Sequence, residues 1–200
     1  MGLISNGTTI FDNGSMASGF GGNLNFISKA TASASASIEF TSGIDSTYKE
    51  YVFYFVNIHP STNNAYFQFN LSTDSGSNYN VTKTTTFFNA YHAENGADPT
   101  LTYQSGRDLA QSTAFQDIDY SQNNQSDSNL GGTLQVFNPS STTYVKHFIS
   151  DCNSNHGAGN YCMRTFVAGY GNTISAVDAV KFQMSSGNID AGEILLFGVN

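Results

Sequence analysis

Residues 50–59, EYVFYFVNIH, and residues 65–71, AYFQFNL, decide the fold. A β-strand turns successive side chains to opposite faces, so the phase of its apolar residues says which faces are covered. In the second stretch Ala65, Phe67, Phe69 and Leu71 share one phase while Tyr66, Gln68 and Asn70 share the other. That is a strand with one wet face. In the first, Tyr51, Phe53 and Phe55 occupy one phase and Val52, Tyr54, Val56 and Ile58 the other. Both faces of that strand are therefore expected to be covered, at the centre of a sheet or at an interface.

Outward from these two, runs consistent with strands fall at about 24–29, 35–41, 81–90, 113–119, 131–138, 143–151, 162–170, 178–185 and 193–199. Segments rich in Gly, Asn and Ser separate them, and no helical pattern exceeds a turn or two. Aromatic residues make up 14% of the chain and charged residues only 11%, a mixture that suits strands and turns. No fixed repeat marks a solenoid. The expectation is an all-β fold, a jelly-roll-like antiparallel β-sandwich formed by one domain over residues 23–200. Residues 1–22 carry turn signals at Asn6-Gly7 and Asn13-Gly14 with little periodicity, and are expected to act as an arm that attaches to a neighbouring subunit or particle.

A formal net charge of −8 with seven Lys and Arg argues against nucleic acid, whose phosphates need clustered cations. No apolar run approaches the roughly 20 residues that span a bilayer, and membrane insertion is not expected. Hydrolase, phosphate-loop and zinc-protease motifs are missing, so the chain is expected not to be an enzyme and to need no cofactor or metal. Asp117, Asp119 and Asp127 cluster loosely, as a solvated loop also would. Asp74 to Asn78, DSGSN, reads as a tight Asx turn rather than a calcium loop.

Cys152 and Cys162 flank NSNHGAGNY and are positioned to face each other across a hairpin, so a disulfide is open to them in an oxidising medium, with free thiols expected in a reducing one. The four histidines are scattered and read as structural. Tyr91, His92, Tyr103 and Tyr120 lie in or beside the long irregular region 89–130. Tyrosine with Asn, Gln and Asp is the mixture that stacks on sugar rings and hydrogen-bonds their hydroxyls, which makes these four the candidate ligand-binding residues. Packing beneath the loops or in a subunit contact explains them equally.

Residues 182–199, FQMSSGNIDAGEILLFGV, form a strand, a turn at Ser185-Ser186-Gly187-Asn188 and a second strand, and read as a terminal hairpin. With residues 41–53, TSGIDSTYKEYVF, residues 137–149, FNPSSTTYVKHFI, and residues 166–177, FVAGYGNTISAV, this ending resembles small all-β virion structural proteins of marine tailed bacteriophages of the cyanophage and pelagiphage type. The resemblance implies a virion protein assembled in a bacterial cytoplasm; analogy with other virion jelly rolls makes a homotrimer the expectation, and with the loop tyrosines the expected work is host-surface glycan adhesion at a tail fibre or tail tip. A capsid decoration or cement role and a tail-borne polysaccharide depolymerase are the alternatives.

Overall fold

The computed structural model describes residues 23–156 and 160–200, with the segments 3–6, 8–12 and 15–16 before them. The chain runs β1 (Leu3–Ser5), β2 (Thr8–Asp12), β3 (Ser15–Met16), β4 (Leu24–Thr31), β5 (Ile38–Phe40), β6 (Glu50–Pro60), β7 (Phe67–Ser72) and β8 (Lys83–Ala93). It continues with β9 (Thr100–Tyr103), β10 (Gln116–Asp117), β11 (Leu130–Phe137), β12 (Lys146–His156), β13 (Tyr161–Gly171), β14 (Ala179–Met184) and β15 (Ile189–Val199). Two antiparallel sheets pack face to face as a β-sandwich: eight strands ordered β4-β15-β6-β11-β12-β13-β8-β9 against four ordered β10-β7-β14-β5. The first three strands make a separate small sheet hydrogen-bonded to neither. Of residues 1–22, expected as an attachment arm, half lie outside the described residues.

Alternation builds the core. Phe67, Phe69 and Leu71 of β7 are fully buried against Tyr51, Phe53 and Phe55 of β6 and their neighbours. Phe182 of β14 sits at the centre, its ring 5.1 Å from Phe53, 5.4 Å from Phe55 and 5.7 Å from Phe67. The first two pairs meet edge to face and the third is stacked, geometries that add to the area they bury.

The double phase of β6 resolves differently from the expectation of two covered faces. The strand is central, between β15 and β11, but Tyr54 and Val56 on its outer phase remain 37% and 42% exposed. Ile58 joins the inner phase because a bulge intervenes. Asn57 takes a positive φ of 53°, and the register slips there against both β11 and β15. Opposite it, Gly192 has φ +116°, and a Cβ would lie 2.6 Å from the Asn57 carbonyl oxygen, so only glycine fits.

The terminal segment is not a hairpin. β14 pairs with β7 and β5 in the narrow sheet, whereas β15 pairs with β4 and β6 in the wide one. The turn at residues 185–188 is a crossover between layers, held by Asn188 N donating to Ser61 Oγ at 2.8 Å.

Candidate functional site

The region read as irregular, 89–130, is mostly irregular but opens on strand and is interrupted by two short ones, β9 and β10. β8 continues to Ala93, and β9 pairs with it, Thr102 opposite Asn89 and Tyr103 opposite Phe88. Consequently strand alternation decides which side chains meet. Tyr91 on β8, Thr102 on β9 and Gln104 just beyond face inward, with Met163 on β13 across from Tyr91. Together with Asp98, Tyr120, His156 and Tyr161 they line an open cleft of about 330 Å³.

Aromatic rings wall it. Tyr91 meets Tyr161 edge to face at 5.8 Å, Tyr161 lies 6.1 Å from His156, and His156 lies 5.4 Å from Tyr120. His156 Nδ1 is 2.8 Å from the Ser121 carbonyl oxygen, which only accepts. That contact keeps the proton on Nδ1 and leaves Nε2 as an acceptor. Behind Tyr120, the Arg107 guanidinium stacks 3.7 Å from the Tyr66 ring and pairs with Asp117 at 3.2 Å. Gln104 Nε2 donates to Asn89 Oδ1 at 2.8 Å, which orients its amide.

Two of the four tyrosine-loop candidates, Tyr91 and Tyr120, thus share the cleft. His92 and Tyr103 do not, because each is one residue out of phase. Tyr103 points from the opposite face, 52% exposed, its hydroxyl donating to Asp108 Oδ2 at 2.5 Å. His92 lines a separate depression of about 300 Å³ with Glu94, Asn153 and Cys162. Tyr161, Asp98 and Gln104 were missed by the sequence reading; the pairing of β9 with β8, which the sequence does not announce, brings in Asp98 and Gln104 beside it, and the pairing of β13 with β8 brings in Tyr161.

Of the acidic cluster, Asp117 and Asp119 are drawn inside while Asp127 stays exposed. Asp119 is fully buried and accepts from Ser154 Oγ at 2.7 Å, and burial pushes its carboxyl up to about 6. Burial also raises Asp117, opposed by its bonds from Gln68 and Arg107. Asp74 accepts from Asn78 N at 2.8 Å and from Asn78 Nδ2 at 2.7 Å, closing the turn from four residues on rather than by the bond to residue 76 of the expected Asx turn.

The cysteines do not pair. Cys152 is buried on the inner face and registers with Thr165, whereas Cys162 is exposed on the outer face and registers with Asn155. β12 and β13 run further into the intervening segment than its Gly and Asn content implies, so the two thiols fall on opposite sides of the sheet. Burial pushes the Cys152 thiol far above its ordinary range. Residues 157–159 of that loop lie outside the described residues.

Among the described residues no three His, Cys, Asp or Glu side chains gather as a metal would require, and no helix is long and apolar enough to cross a membrane. No protein-family model matches the chain, and comparison with curated proteins and with solved structures finds no match.

Proposed function

We propose that this chain is a non-enzymatic surface protein of a bacteriophage virion that adheres to a host-surface glycan through the tyrosine-walled cleft. The carrying observation is the continuous wall Tyr91, Tyr161, His156 and Tyr120 around an opening that also presents Asp98, Thr102 and Gln104. Flat rings take the apolar face of a pyranose, and carboxylate, hydroxyl and amide groups take its hydroxyls. About 330 Å³ suits one or two sugar units. The burial of Asp117 and Asp119 supports binding over hydrolysis, since a glycosidase needs two carboxylates facing each other across an accessible cleft.

Glycan binding by the purified protein, measured with host cells and with released surface polysaccharide, tests this reading. Tyr91→Ala and Tyr161→Ala are expected to weaken binding by roughly 1 to 3 kcal/mol per site, magnified by avidity in an oligomer. Tyr103→Ala, on the other face, is expected to leave it unchanged. Equal loss from all three, or no glycan binding by the unaltered chain, sinks the proposal.

A second reading, self-association and particle decoration, is favoured by a different observation. On the outer face of the wide sheet Phe26 is 60% exposed, Leu24 and Val56 each 42% and Tyr54 37%, beside Phe197. A contiguous apolar surface of this kind fits a subunit contact in a homotrimer. The two readings are compatible, because cleft and outer face are distinct surfaces.

A further inference from the structure

Asn70 of β7 and Lys83 at the start of β8 bring a carboxamide and an amine together inside the sandwich, both with no exposed surface. β7 belongs to the narrow sheet and β8 to the wide one, so the contact joins the two layers. Lys83's main chain is fixed from both sides: it registers with Gly171 of β13 and exchanges hydrogen bonds with Ser112 at 2.8 and 3.0 Å. Its Nζ donates to Asn70 Oδ1 at 2.5 Å and to the Val81 carbonyl at 2.9 Å. No carboxylate pairs with it among the described residues.

Asn70 is held just as firmly. Its Nδ2 donates to the carbonyl oxygens of Tyr79 at 2.6 Å and Thr113 at 3.0 Å, while Oδ1 accepts a second bond from Leu71 N at 2.9 Å. Two donors on Oδ1 polarise the amide carbon, and the two carbonyls keep the amide from turning away. Burial lowers the Lys83 amine to about 7, so at neutral pH about half of the molecules carry it as a free, nucleophilic amine. An amide resists amines because conjugation with its nitrogen quenches the carbonyl and that nitrogen leaves only once protonated; here the two groups are positioned, water is excluded and the carbonyl is polarised by its donors, which lowers that barrier.

We infer that Lys83 and Asn70 condense to an isopeptide bond that staples the two sheets together. Rotation about Cε–Nζ turns the amine lone pair onto Asn70 Cγ, and a new Nζ–Cγ bond forms as the carbonyl electrons move to Oδ1. The Leu71 N–H stabilises the charge that gathers there, as an oxyanion-hole donor does. When the carbonyl re-forms, the Cγ–Nδ2 bond breaks and Nδ2 takes one proton from Nζ and departs as ammonia. The other amine proton remains as the N–H of the new amide. Nothing is oxidised or reduced and no co-reactant is consumed.

A tryptic map of the full-length protein, denatured and resolved by mass spectrometry after storage at about pH 8, reads the bond directly. Trypsin cleaves after Lys49, Lys83 and Arg107, but an acylated Lys83 resists it. The expected product is a single peptide spanning residues 50–107, lighter than its sequence by one ammonia, with fragmentation locating the loss at Asn70 and Lys83. In Lys83→Arg and Asn70→Ala chains, cleavage after position 83 and full masses are expected. Recovery from the unaltered protein of separate peptides 50–83 and 84–107 at their unmodified masses overturns the inference, whether or not either variant folds.

Discussion

The two outward faces of the sandwich could hardly differ more. On the narrow sheet the outer phase is polar and internally paired: Lys181 bonds Glu39 at 2.9 Å, and Gln68 bridges Asp117 at 2.7 Å. On the wide sheet the same phase carries Phe26, Tyr54, Val56, Phe88, Leu101, Tyr103 and Ile149, all exposed. One face is finished as a surface in contact with water. The other intersperses those exposed apolar side chains with the ion pairs Lys29–Glu193 and Arg164–Asp151, and its apolar share is how β6 came to read as covered on both sides. Apolar residues in both phases therefore signal demand for a partner, and the partner need not belong to the same chain.

The interior sets the scale against which both faces are judged. Phe53→Ala removes a ring with no exposed surface that packs on Phe40 and Phe182, and is expected to cost about 3 to 5 kcal/mol in urea denaturation. If its neighbour Tyr54→Ala costs as much in the monomer, the outer face is not free and the comparison fails. The buried Asp119 gives the next effect. Its native pKa, about 6, lies above the ordinary value of 3.8, so between these values the native state keeps a proton that the unfolded chain has lost. This group's contribution to stability is then greatest below about pH 4, falls by about 3 kcal/mol as pH rises to about 6, and levels off above. Asp119→Asn should flatten that slope in melts taken across the window; an unchanged slope would mean another group carries it.

The outer faces themselves differ more subtly. Phe26→Ser should shift sedimentation toward the monomer while changing monomer stability by less than about 1 kcal/mol. Lys181→Ala should not affect association at all. Its partner Glu39 is held below the usual carboxylate range chiefly by the hydrogen bond from Lys181, yet the pair is partly exposed. Losing it should cost only about 0.2 to 1 kcal/mol, shrinking further at high salt.

Most of the wide sheet was legible because its strands are long and alternate cleanly, and the central and C-terminal strands lie within a few residues of where their periodicity puts them. β9 was not. TLTY at Thr100–Tyr103 is four residues with no distinctive apolar run, following Asp98-Pro99, and nothing local says that it extends β8. With its register went half of the candidate site, since Thr102 faces the cleft only because Tyr103 does not. The crossover at residues 185–188 was hidden for a related reason: a four-residue turn looks the same whether the next strand pairs with its predecessor or leaves for the other sheet.

That crossover governs when the molecule can fold. β15 inserts between β4 and β6, bonding Glu193 to Thr31 across 162 residues of sequence, and β4 has no other partner strand. While the chain is still being synthesised, β4 and the facing edge of β6 stay open to any passing strand until Ile189–Val199 has emerged. Closure of the wide sheet between β4 and β6 thus waits for β15, and a chain truncated before it presents two templates for aggregation in place of one finished layer.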